Sequence, residues 1–201
     1  MQAHKISVKF YVDDPSQLGA HEFVPIFHSW IQNRAVPEHM LVDVSDYAHV
    51  HNGPGTLLVA QEANFYADRI DGRLGLTYAR KQAAPAAAAA TFVDRLRQAV
   101  TAALEACVRL EDDPRLAGKI KFGTGEMTIR LPDRLLAPNT METYSQVRGD
   151  IEKVAADLYG TGNFDVEHVL SEKLPFEVRV MATSSLPDVS SLLNRLSYAT
   201  A

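Results

Sequence analysis

Residues 5–12 alternate without a break, with Ile6, Val8, Phe10 and Val12 apolar and Lys5, Ser7, Lys9 and Tyr11 between them. A period of two predicts a strand with one buried face. Asp13-Asp14-Pro15 ends it. Phe23, Phe27, Trp30 and Ile31 then fall at helical spacing, with Pro25 where a first turn tolerates it. Leu41–Val44 and Thr56–Ala60 read as strands, and the second is continuously apolar, which predicts a central position. Arg69-Ile70-Asp71-Gly72 supplies a hairpin turn, and Leu74, Leu76 and Tyr78 alternate on the return.

The run Ala83–Ala90, broken only by Pro85, suits the first turn of a helix. Its apolar stripe continues through Phe92, Leu96, Val100, Leu104, Cys107 and Leu110, and Asp112-Asp113-Pro114 closes it. The second half opens with Lys119–Phe122, a Gly123-Thr-Gly125 turn and alternating Met127, Ile129 and Leu131. Asn139 with Glu142 three residues on predicts a capping box. Tyr144, Val147, Ile151, Val154 and Leu158 form the next helical stripe, which Gly160 stops. Strands at Phe164–Val169 and Phe176–Ala182 and a helix after Pro187 complete the chain.

The two halves rhyme. Ile6-Ser-Val8-Lys9-Phe10 and Met127-Thr-Ile129-Arg130-Leu131 share one pattern, and Leu41 and Phe164 follow them at similar distances. We therefore expect an α+β fold with a largely antiparallel sheet, helices on one face and an internally duplicated βαββ(β)α unit, a ferredoxin-like type of sandwich. Residues 1–114 would form a βαβββα half and residues 115–201 a second, βαββα half, sharing one sheet as a single compact unit.

Composition bounds the function. The chain has 201 residues, 46% of them hydrophobic and 22% charged, with a formal net charge of −5. A chain of this size can bury roughly 70% of its unfolded surface. Scattered basic residues and a negative balance argue against nucleic acid as a partner. The single cysteine, Cys107, excludes an intrachain disulfide and falls at a core phase. No apolar leader or membrane-length run is present, so no membrane partner is expected and the expected location is cytoplasmic.

The densest chemistry lies in Asp43-Val-Ser-Asp46-Tyr47-Ala-His49-Val-His51-Asn52-Gly53-Pro54-Gly55. His49 and His51, two apart in extended backbone, would share a side. A divalent metal there would need a third or fourth ligand, and Asp43, Asp46 or Glu62 are the available carboxylates. Asp46, Tyr47 and His49 could instead form an acid/base relay. The glycines could bring backbone amides to an anion, although the loop leads into a strand and not a helix. The bland alternative is a turn in which Asp46 and Asn52 bond their own backbone. Asp43, Asp46, Tyr47, His49, His51, Gly53 and Gly55, with Tyr66 and Arg73 of the next hairpin, are the ligand-binding candidates.

The pattern Phe27-His28-x-Trp30-Ile31-Gln32 … Asp43-Val-x-Asp46-Tyr47-x-His49-Val-x-x-Gly53-Pro54-Gly55 resembles bacterial proteins that carry no assigned activity. The first half's strand order is also similar to the module of the vicinal-oxygen-chelate enzymes, a resemblance that implies metal-binding roles for His4 and Glu62. Three functions follow as expectations. The first is a self-associating protein that binds a small ligand or partner, without a cofactor. The others are a divalent-metal-dependent enzyme and a purely structural or interaction protein.

Overall fold

A computed structural model describes residues 3–14, 18–50, 53–81, 91–184 and 187–199, the side chains of Ala20, Tyr198 and Ala199 excepted. The alternating segment becomes β1 (Ile6–Val12), and the aromatic-rich stripe becomes α1 (Phe23–Asn33). Four strands follow in a meander: β2 (Leu41–Tyr47), β3 (Gly55–Ala60), β4 (Ala63–Asp68) and β5 (Gly75–Arg80). After α2 (Phe92–Glu111) come β6 (Phe122–Leu131), α3 (Met141–Tyr159), β7 (Phe164–His168), β8 (Phe176–Ala182) and α4 (Val189–Ala199).

The strands form one eight-stranded sheet in the order β2-β3-β4-β5-β1-β6-β8-β7, with antiparallel neighbours throughout. Its register separates two faces. One row reads Val44, Leu58, Phe65, Tyr78, Val8, Ile129, Val178 and His168 from edge to edge. The adjacent row, pointing the other way, reads Ser45, Leu57, Tyr66, Thr77, Lys9, Thr128, Arg179 and Glu167. The helices pack over the first face: α1 covers β2 and β3, α2 covers β5 and β1, α4 lies on β6 and α3 on β7. Leu96, Val100, Leu104 and Cys107 of α2 and Val147, Ile151 and Val154 of α3 meet that face in one continuous core. The fold is thus α+β, as the periodicities predict.

Several local expectations are corrected. β3 lies next to the sheet edge, and β1 takes the central place. The apolar run of β3 reflects burial of Thr56, Leu58 and Ala60 on one face and half-burial of Leu57 and Val59 on the other. Four strands follow α1 where three were expected, because Gln61-Glu62 is itself a tight hairpin turn. Gly123-Thr-Gly125 is no turn but part of the single strand β6, whose register against β1 shifts between Phe10 and Tyr11. The cap of α3 is Thr140, which accepts from the Thr143 amide, while Asn139 donates to the Val169 and Pro175 carbonyls and binds His168. α2 begins at Phe92 behind Thr91, and residues 82–90 lie outside the described residues. The halves contribute five strands and three, so duplication remains an inference from element order.

Candidate functional site

Between α2 and the ends of β4 and β5, the helical layer leaves a cavity of about 600 Å³. Its floor comes from alternation in β5: Tyr78 and Arg80 take the same inward phase as Leu76, so the strand carries a phenol and then a cation onto the helical face. Its wall is the polar flank of α2, where Asp94, Arg97, Gln98, Thr101, Ala102 and Glu105 recur at helical spacing. Its far side is Glu38 and His39, which precede β2, and Glu62 of the β3–β4 turn. The Gln61 amide donates to the Met40 carbonyl at 2.9 Å and the Lys81 amide to the Glu62 carbonyl at 2.9 Å, which pins these three backbones together.

Aromatic packing fixes the His39 ring. It stands edge-on to Phe65 at 5.6 Å and tilted on Tyr78 at 5.5 Å, while Phe65 and Tyr78 meet edge-on at 5.2 Å. Trp30 of α1 contacts Phe65 from behind. Burial lowers the His39 pKa against the pull of Glu62 and Glu38, favouring the neutral imidazole. Burial also pushes the Tyr78 phenol up to about 12, so it stays a neutral hydroxyl.

His39 Nδ1 and Glu62 Oε2 face each other at 3.8 Å, and neither buried atom has a hydrogen-bond partner among the described residues. That separation is too long for a hydrogen bond. A small rotation would close it, fixing Nδ1–H on the carboxylate and leaving Nε2 as the acceptor. His4 Nδ1, Asn64 Oδ1, Arg109 Nε, Tyr159 OH and Arg179 Nε are also buried without a hydrogen-bond partner among the described residues, but His39 and Glu62 are the two such residues that line this cavity and face each other.

The other polar constellation lies under the β4–β5 hairpin, on the helix-free face. Lys9 is 1% exposed and donates to Asp68 at 2.8 Å, Asp71 at 2.7 Å and the Arg73 carbonyl at 2.9 Å. The Tyr11 hydroxyl donates to Asp71 at 2.9 Å and shares a 2.7 Å bond with Thr128. Arg130 joins Asp71 to Glu177. Burial would raise the Asp71 carboxyl, but the Lys9 ammonium, the Tyr11 hydroxyl and the Arg73 amide outweigh it and hold the pKa below its ordinary value. Each ammonium hydrogen of Lys9 has an acceptor, so the network is closed. A second cavity, of about 590 Å³, opens beside it at Tyr11, Arg73 and Lys121. There Arg73 is already paired with Glu126 and Lys121 with Glu111, each at 2.7 Å.

The residues singled out in the sequence do not gather at either cavity as a group. Asp43 and Asp46 lie on the exposed edge strand, where their carboxylates accept from the nearby Val44 and Ala48 amides. Tyr47 and His49 are exposed, and His51 and Asn52 lie outside the described residues. Gly53 donates to the Val50 carbonyl in a turn. Gly55 has φ +63°, and a Cβ there would collide with the Ala67 carbonyl, so its backbone approach to β4 explains the glycine. Tyr66 accepts from Asn64 on the open face, and Arg73 stacks 3.7 Å over the Tyr11 ring. His4 is half-buried, and Glu62 is the one member of the set that lines the cavity. Among the described residues, no three His, Cys, Asp or Glu side chains are grouped to hold a metal ion.

His39, Arg80 and Glu105 were not anticipated. Arg80 carried a readable signal, a cation at the inward phase of an alternating strand; His39 carried none. No family model, curated protein or solved structure matches the chain.

Proposed function

We propose that this protein binds a small organic molecule in the cavity between α2 and β4–β5. The observation that carries the reading is the His39–Glu62 pair, two buried polar atoms that face each other without a hydrogen bond at the edge of that cavity. The volume falls within the range of small-molecule sites, and aromatic rings with a few convergent polar groups are their usual lining. The ligand's apolar body would lie along Tyr78 and Ala102, and its polar groups would engage Glu62, His39 and Glu105. Bulk charge does not decide this reading; local geometry supports it.

The test is a fragment library screened by amide NMR against the wild-type chain and an Ala102→Trp variant that fills the cavity. Hits should shift the amides of Tyr78, Thr101, Ala102 and Glu105 and should be lost in the variant. Hits that shift only the 43–55 segment, or that survive the substitution unchanged, would place binding elsewhere.

A further inference from the structure

The cavity is electrostatically lopsided. Its lining carries four carboxylates, Glu38, Glu62, Asp94 and Glu105, against two guanidiniums, Arg80 and Arg97. Both guanidiniums already have acceptors. Arg97 donates to Asp157 through Nε at 3.2 Å and Nη2 at 2.6 Å, with Asp94 3.8 Å away. Arg80 Nη1 donates to Gln98 Oε1 at 2.9 Å. Asp94 is likewise engaged, accepting from the Thr91 amide and hydroxyl at the start of α2.

Three carboxylates remain. Glu38, Glu62 and Glu105 accept no hydrogen bond from the described residues, and they reach the cavity from three separate elements. Burial and the neighbouring Glu38 hold the Glu105 carboxyl above its ordinary value, against the weaker pull of Arg109. That is the direction expected of a partly buried carboxylate beside a second carboxylate, where a neighbouring cation does not offset the burial. Residues 82–90, which join β5 to α2, read Gln-Ala-Ala-Pro-Ala-Ala-Ala-Ala-Ala and carry no charge to supply one.

The remaining lining suits an apolar body. The Tyr78 and His39 rings and Ala102 contribute non-polar surface, and a neutral Tyr78 ring is a favourable neighbour for a cation. An anionic ligand would meet three carboxylates and two guanidiniums that are already occupied. A neutral ligand would leave most of the acceptors unsatisfied.

Resting on the binding reading above, we infer that the cavity takes a small organic amine, its protonated ammonium held among Glu38, Glu62 and Glu105 and its apolar body laid against Tyr78 and Ala102. An ammonium offers N–H donors and no acceptor, which suits a cavity whose lining carries more carboxylates than cations. Charge-assisted hydrogen bonds of this kind are the strong ones, and their partial burial limits screening by salt.

The experiment titrates the full chain with three probes of similar size, phenethylamine, phenethyl alcohol and phenylacetate, monitored by amide NMR. Phenethylamine should shift the amides of Tyr78, Thr101, Ala102 and Glu105 and bind about tenfold more tightly than the alcohol, with phenylacetate weakest. The paired substitution Glu38→Gln and Glu105→Gln should weaken phenethylamine about tenfold, so that most of its preference over phenethyl alcohol is lost. If the alcohol or phenylacetate shifts those amides at equal or lower concentration than the amine, the amine assignment is overturned and cavity binding stands. If none of the three shifts them, the amine assignment and the cavity reading both fail.

Discussion

Lys9 shows how far a residue's environment can depart from its local pattern. Alternation places it correctly on the polar face of β1, the face a sequence reading assigns to solvent. The β4–β5 hairpin then folds Asp68, Asp71 and the Arg73 carbonyl over it, so the ammonium is buried and fully bonded. Breaking such a pair leaves an uncompensated buried charge, so Lys9→Met should cost about 3–5 kcal/mol of unfolding free energy in urea titrations. Asp71 gives the pH counterpart. Its folded-state pKa lies below the unfolded value, so its contribution is fully present above the ordinary carboxylate range and is lost as pH falls through the folded pKa. The stability gap between wild type and Asp71→Asn should therefore be widest near neutrality and shrink in acid. A gap independent of pH would show that the carboxylate's charge is not what the network uses.

Elements were the most legible scale, because burial on one face imposes a period that the chain displays directly. β1, α1, the β5 return strand, α3 and α4 follow their stripes closely. The misread boundaries are those where a side chain serves a distant backbone. Asn139 reads as a helix cap from spacing alone, yet its amide ties two carbonyls across the β7–β8 connection, and Thr140 caps the helix. At α2, Thr91 and Asp94 form a reciprocal capping box, so Thr91→Ala should lower stability by about 1 kcal/mol, read as a reduced thermal midpoint. Gly55→Ala should cost more than that, because the left-handed backbone and the Ala67 carbonyl oppose a Cβ together. Within the dense 43–55 segment, Asp43 and Asp46 bond backbone of the edge strand and its end, and Gly53 and Gly55 shape the turn into β3. Asp43 and Asp46 on β2 and Asp165 and Glu167 on β7 put charge on both sheet edges, which discourages edge-to-edge pairing.

Strand order and the cavity belong to the whole molecule. A meander of four strands on one side of β1 and three strands on the other could not be read from local periods, because register across the sheet is a non-local property. The cavity depends on that order: β4 lies between the strands covered by α1 and those covered by α2, and a gap opens beside it over Tyr78 and Arg80. Glu62 was visible as a candidate, but its partner is His39, a residue with no sequence signal of its own. The same placement gathers Glu38 and Glu105 from elements that the sequence gives no reason to associate.

Crystals of the full chain soaked with a fragment library would test the central claim most directly. Electron density for fragments should cluster between Tyr78, Ala102 and Glu105, with a polar atom within hydrogen-bond distance of Glu62 or His39. Fragments found instead beside Tyr11 and Arg73, or along residues 43–55, with nothing between α2 and β5, would contradict it.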